Sequence, residues 1–154
     1  MEIISATGKD YLIFRETSKQ CDYLGVHTPY SYWIACNYFG DSCFIIKENN
    51  KVAGTILTVR NKDVLFVWQI GVLKEYRQKG YSQALYNAVL NYALQNGQSK
   101  IAMSIDPTNQ ASFNALKSFC SKNNLTFNQV GYVDLKIPEE NYTEYEQLIE
   151  INIK

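Results

Sequence analysis

Apolar and polar positions along the chain alternate between the two-residue period of strands and the 3.6-residue period of helices. "IISAT" reads as a short strand, and Asp10 can cap a helix over "YLIFRETSKQ" whose Tyr11, Phe14 and Ser18 share a face. Gly25 to Pro29 interrupts, and "YSYWIACNYF" follows as an aromatic helix. "SCFIIKE" and "KVAGTILTV" are strands joined by Asn49-Asn50, residues that tolerate the positive φ of a tight hairpin. "NKD" makes the next turn, and "VLFVWQIGV" completes a meander. A helix after Gly80 places Leu85, Ala88, Val89 and Tyr92 on one stripe and stops at Asn96-Gly97. "KIAMSID" is the next strand. Pro107, Thr108 and Asn109 then start a helix that turns Phe113, Leu116 and Cys120 inward. Strands near Phe127 to Leu135 and Gln147 to Ile153 close the chain.

The short links of the meander require antiparallel neighbours, whereas the strand–helix–strand unit from Val64 to Asp106 requires a parallel crossover. The expected architecture is a mixed α/β (α+β) sheet, mostly antiparallel, with helices on both faces. At 154 residues the chain is read as one domain, 1–154.

Composition narrows the function. Fifteen basic residues balance fifteen acidic ones, so no global field recruits nucleic acid or an anionic membrane. No apolar run is long enough to span a bilayer, and "MEIISATGKD" lacks the basic stretch and apolar core of a signal peptide. The four cysteines form no C-x-x-C pair and the only histidine is His27, which argues against a zinc site. Free thiols in a reducing cytoplasm are the expectation.

The stretch "VWQIGVLKEYRQKGYSQAL" concentrates the chemistry. It runs from an apolar strand through Arg77, Gln78, Lys79 and Gly80 into Tyr81 and Ser82 at a helix start. A helix N-terminus offers unpaired N–H groups and a partial positive charge, and a glycine lets an anion approach the main chain. The segment is built like a pyrophosphate cradle, although it is neither a P-loop nor a three-glycine dinucleotide fingerprint.

The order Val72, Arg77-x-x-Gly80-x-Ser82, Leu85 resembles the coenzyme A motif of the GNAT N-acetyltransferases, and "DPTNQAS" resembles that family's Asn-containing helix start. The resemblance implies a GNAT fold with a parallel pair of the fourth and fifth strands, and acetyl-CoA as cofactor. It places the cofactor on Ile70, Gly71, Val72, Arg77, Gln78, Lys79, Gly80, Tyr81, Ser82, Asn109 and Ser112. Ser82 stands where Gly or Ala is commoner.

A narrower likeness covers nearly the whole chain. "LFVWQIGV", "IDPTNQAS" and "LGVHTPYSYWIACNYFGDSC" resemble the diaminobutyrate acetyltransferases of ectoine synthesis. Trp68, Gln69, Pro107, Asn109, Ala111, Ser112, Tyr30, Glu144 and Glu146 match that family's pattern. Gly25 stands where it has an acidic residue; His27 and Thr28 replace Asn and Ser; Ala102 replaces Glu; Asp106 replaces Thr; Thr143 replaces His. The likeness implies acetylation of a primary amine on a small molecule, with 2,4-diaminobutyrate or a related diamino acid as acceptor. It puts the acceptor on Trp68, His27, Thr28, Tyr30, Asp106, Glu144 and Glu146. It also implies that sheet edges or C-terminal strands pair into a homodimer.

An amine of pKa near 10 is about a thousandfold under-deprotonated at neutral pH, a barrier of roughly 4 kcal/mol that a carboxylate can relieve. Glu144 and Glu146 are the candidate bases, with Asp106 a further carboxylate near the cleft. A backbone N–H around Ile70 to Val72 can meet the oxyanion. Leu116 occupies the position where the wider family often has a thiolate-protonating tyrosine, leaving Tyr30 or solvent for that role. Two other readings stand beside the enzyme on small amines: a non-catalytic coenzyme A-binding sensor, suggested by Leu116, Ser82 and Gly25, and an acetyltransferase for peptide N-termini or lysines.

Overall fold

The alternating pattern folds into one seven-stranded sheet with a helix pair on each face. The computed structural model describes residues Met1–Lys154. The strands are β1 (Glu2–Ser5), β2 (Phe44–Glu48), β3 (Lys51–Asn61), β4 (Val64–Val72), β5 (Lys100–Ile105), β6 (Phe127–Ile137) and β7 (Tyr142–Asn152). The helices are α1 (Tyr11–Gln20), α2 (Pro29–Phe39), α3 (Tyr81–Gln95) and α4 (Gln110–Lys122). The order across the sheet is β1-β2-β3-β4-β5-β7-β6; β4 and β5 run parallel, and every other neighbouring pair is antiparallel. No helix is long and apolar enough to cross a membrane.

The turn chemistry works as the residue types demand. Asn49 and Asn50 take φ of 51° and 65° in the β2–β3 hairpin. Gly97 takes φ 71° just beyond α3, and the Gln98 N–H reaches back to the Ala93 carbonyl at 3.0 Å. Two expectations need correction. Asp10 does not cap α1; its carboxylate accepts from the Thr7 N–H (2.8 Å) and hydroxyl (3.2 Å), closing the preceding 3-10 turn instead. The last two strands are also longer than their apolar cores suggested. β7 pairs with β5 only over Gln147–Asn152, but with β6 all the way out to Tyr142. The outer part is a two-stranded arm, and Glu144 and Glu146 lie inside β7 rather than at its entry.

Two cores flank the sheet. On one face α3 and α4 bury Leu85, Val89, Leu116 and Phe119 against Leu65, Val67, Ile101, Met103, Ile149 and Ile151. On the other, α1 and α2 bury Phe14, Tyr32, Ala35 and Cys36 against Ile45 and Leu57.

A bulge in β4 decides which side chains reach which face. Thr58 pairs with Val67, but Leu57 pairs with Gln69, so Trp68 has no partner on β3. Before the bulge Leu65 and Val67 enter the α3/α4 core; after it Ile70 and Val72 do. The extra residue therefore turns Trp68 and Gln69 together toward α1 and α2. Without it, Gln69 would continue the parity of Leu65 and Val67 into an apolar core.

Candidate active site

The sheet opens along its parallel pair. β4 and β5 are in register only from Val64↔Lys100 to Val67↔Met103. Beyond that point β4 continues to Val72 while Ser104 and Ile105 pair with β7 alone. The Leu73 N–H donates to the Ala53 carbonyl at 2.8 Å, which fixes the alternation of β4. Gly71 turns its main-chain groups to Thr55 on β3, leaving those of Ile70 and Val72 aimed at the gap. Gly71 instead serves by lacking a side chain: a Cβ there would meet the Cys21 Sγ at 2.9 Å and the Leu24 Cδ1 at 3.0 Å.

At the mouth of the gap the chain turns into α3. Gln78 (φ 63°) and Gly80 (φ 80°) both adopt left-handed conformations. Alternating conformations of this kind line up successive N–H groups as an anion-binding nest, next to the N-terminus of a helix of 15 residues. The side chains in this loop hold it in place. Arg77 donates through Nε to the Val72 carbonyl at 3.1 Å and stacks over the Tyr23 ring at 5.6 Å. The Lys79 Nζ lies 3.1 and 3.2 Å from the Glu48 carboxylate oxygens, and the Tyr81 hydroxyl donates to Glu48 at 2.6 Å. The Tyr81 hydrogen bond, and after it Lys79, hold the Glu48 carboxyl below its ordinary range. Asn109 caps α4 by accepting the Ser112 N–H at 3.1 Å. The main chain of this segment, with the β4 groups aimed into the gap, fits a pyrophosphate and an extended amide-bearing arm.

The opposite wall of the gap is aromatic. His27 packs on Trp68 with ring centroids 4.7 Å apart, and Tyr32 stacks on Trp68 at 6.4 Å. Beneath them lies a buried polar knot. The Gln69 Oε1 accepts from Ser18 (2.7 Å) and Tyr32 (3.0 Å), while its Nε2 donates to the Gly25 carbonyl at 2.6 Å. Ala102 and Ser104 of β5, and Glu144, Glu146 and Glu150 of β7, share the sheet face of Trp68, because their odd-numbered neighbours point into the α3/α4 core. Half-buried Glu146 accepts from the Ser104 hydroxyl at 2.7 Å. The α1/α2 pair packs chiefly on β3, so Ser104 and Glu146 on this side stay half-exposed, while Ala102 is buried.

The remaining sequence-predicted acceptor residues are placed differently. Thr28 caps α2, accepting the Ser31 N–H at 3.3 Å. Asp106 folds back on Thr108, whose N–H (2.8 Å) and hydroxyl (2.7 Å) hold its carboxyl below the usual range. Glu144 is exposed on the arm, opposite Leu135. Tyr30 is 69% exposed and stacks on Trp33 at 6.1 Å, beside a shallow groove of about 260 Å³ that it shares with Tyr11, Pro29 and Trp33. No contact joins it to Trp68; Tyr32, two positions on and one turn face away, is the tyrosine at the wall. Leu116 is fully buried in the α3/α4 core. Sequence reasoning assigned no role to Ser18, Tyr32, Gln69, Ser104 or Glu48. A polar Gln69 inside an otherwise apolar strand was the one visible signal among them.

A sheet split at its parallel pair, with a nest and a helix start at one side of the split and an aromatic wall at the other, defines a class. Residues 13–120 match the Acetyltransferase (GNAT) family, and the chain belongs to it. Among individual proteins, the L-2,4-diaminobutyric acid acetyltransferase of Halalkalibacterium halodurans is 32% identical over 92 residues, 58% of this chain and 49% of that protein. The enzyme of the same name from Marinococcus halophilus is 30% identical over 102 residues, 64% of this chain and 59% of that protein. The chain thus spans about half the length of the curated relatives it matches. Diaminobutyrate acetyltransferase EctA from Paenibacillus lautus, solved with L-2,4-diaminobutyric acid and coenzyme A, superposes with a TM-score of 0.84 at 23% identity, covering 98% of this chain and 94% of that one.

Proposed function

We propose that this chain, as a single unit over 1–154, transfers the acetyl group of acetyl-CoA to a primary amine of a small diamino acid such as L-2,4-diaminobutyrate. The observation that carries the reading is the split of β4 from β5 beside Trp68, whose side chain shares a sheet face with the Ser104–Glu146 pair. The relatives named above act on that diamino acid.

Bound acetyl-CoA supplies a thioester carbonyl. The N–H groups of Gln78 through Ser82 receive its pyrophosphate, and the Ile70 main chain and the Val72 N–H offer partners along β4, the Val72 carbonyl being held by Arg77. Trp68 and His27 present aromatic surface to an acceptor ammonium. Glu146 takes the ammonium proton, with Ser104 fixing the orientation of its carboxylate. Glu144, further out on the arm, supplies negative charge that draws in a dicationic acceptor. Tyr30 stays outside this set, so the leaving thiolate takes its proton from solvent.

The outer arm carries the partner proposal. Leu135, Ile137, Tyr142, Tyr132 and Tyr145 are 39–54% exposed on β6 and β7, and β6 is a bare sheet edge. Apolar, unpaired edges of this kind pair with another chain, and a homodimer through the arm covers them. Thiol release from acetyl-CoA in the presence of 2,4-diaminobutyrate tests the activity. Coenzyme A binding without turnover on any amine would favour the sensor reading, and turnover on peptides alone the protein acetyltransferase. The setting proposed is cytoplasmic, consistent with four free, buried cysteines.

A further inference from the structure

We infer that Gln69 is a positioning residue for the acceptor: its side-chain amide latches the loop of residues 21–28 across the β4 bulge and thereby sets His27 against Trp68. The inference deepens the acetyltransferase reading and rests on it for the identity of the acceptor.

The geometry leaves the amide one orientation. Gly25 presents a carbonyl, which can only accept, and it lies 2.6 Å from Gln69. The reverse orientation would put two carbonyl oxygens at that distance, so Nε2 must face Gly25. Oε1 then faces Ser18 and Tyr32, whose hydroxyls donate to it at 2.7 and 3.0 Å. Both of those residues, like Gln69, are buried. The knot joins α1, α2 and β4 to one loop atom. The loop is held at two further main-chain points close by: the His27 carbonyl accepts from the Arg15 Nε at 3.1 Å, and the His27 N–H reaches the Tyr32 hydroxyl at 3.4 Å.

Apolar packing anchors only the first half of the loop, where Cys21 is buried and Leu24 half-buried against Gly71. Gly25 and Val26 are exposed, and a Cβ on Gly25 would meet nothing within 4 Å. The Gly25–His27 stretch therefore depends largely on directional contacts, and Gln69 makes the shortest of them. The aromatic pair that contacts the acceptor stands at the far end of this support: Trp68 adjoins Gln69 in sequence, and His27 lies two residues from Gly25. Loosening the latch separates His27 from Trp68 while leaving the nest at Gln78–Ser82 untouched.

The test is Gln69→Glu, which keeps the shape of the side chain but sets an acceptor oxygen against the Gly25 carbonyl. Two readouts are taken. Hydrogen exchange of the unliganded protein should quicken in residues 21–28 and remain as in the parent protein across β4 and α3. The KM for the diamino acid should rise about tenfold or more, equivalent to roughly 1.4 kcal/mol, with the KM for acetyl-CoA changed less than about twofold. Tyr32→Phe removes one orienting donor without adding a charge and should give a smaller shift in both; it decides the matter if Gln69→Glu does not fold. Unchanged exchange in 21–28 together with an unchanged acceptor KM overturns the latch. If the parent protein turns over no amine, the exchange readout still decides the latch, and the acetyltransferase reading falls separately.

Discussion

Replacing Glu146 by Gln isolates the proton-transfer step. The substitution keeps an oxygen for the Ser104 hydroxyl, which lies 2.7 Å from the carboxylate, so the local fold is preserved. What disappears is the carboxylate proposed as the base. At pH 7 an ammonium of pKa near 10 stands about 3 units above the medium, and a positioned general base contributes roughly 100- to 10,000-fold. Glu146 is half-buried and hydrogen-bonded, which places it toward the middle of that range. The kcat of Glu146→Gln should fall about 100- to 1,000-fold, with the KM for acetyl-CoA unchanged. Below the amine pKa its rate should climb about tenfold per pH unit, because free amine then forms only in solution. Glu144→Gln is the internal comparison. Its carboxylate is exposed on the arm, where solvent and salt screen it, so the loss should stay within about fivefold. Stopped-flow or plate assays of thiol release across pH 6 to 10 read both variants. A Glu146→Gln enzyme within tenfold of the parent, with an unchanged pH profile, refutes the assignment of Glu146 as base.

Other outcomes follow from the geometry. Gly54→Ala puts a Cβ 2.6 Å from the Gly71 carbonyl oxygen, between β3 and β4 where neither backbone can give way; overpacking of this kind costs about 1–3 kcal/mol, and thermal unfolding should shift down by roughly 2–12 °C. Burial pushes the thiols of Cys36 up to about 12 and of Cys43 and Cys120 up to about 11, and raises Cys21 as well, so a thiol reagent at pH 8 should label none in the native protein and all four after denaturation. Glu48 has a depressed carboxyl pKa, so its contribution to stability is present above the ordinary carboxylate range and fades as pH falls through the lower folded value. Tyr81→Phe removes the largest cause, and carboxyl NMR should show Glu48 titrating at higher pH than in the parent protein.

Much of the scaffold was legible because local chemistry and global fold agree. The turn at Asn49-Asn50, the stop at Gly97, the Asn109 cap and the bounds of β4 each follow from residues whose conformational preferences the sheet does not override. The nest was legible for the same reason, since it depends on main chain near Gly80. The aromatic wall was not. "VLFVWQIGV" is apolar almost throughout, so no break in alternation announces the bulge at Trp68, and the bulge alone determines that Gln69 faces α1. Tyr30 and Tyr32 are indistinguishable by type; only the cap at Thr28 and the resulting helix phase bury the second and expose the first. The contact of the Arg77 Nε with the Val72 carbonyl, five residues back along the chain, has no signal in the sequence. The outer arm carries a polar–apolar mixture with no core beneath it, so periodicity ended the strands too early.

Turnover of a panel of free amines tests the central claim most directly: thiol release from acetyl-CoA with 2,4-diaminobutyrate, ornithine, lysine, a polyamine and one short peptide. Turnover on a diamino acid, with the product acetylated on a single nitrogen, is the expected result. Turnover on the peptide alone, or coenzyme A binding with no turnover on any amine, would contradict it.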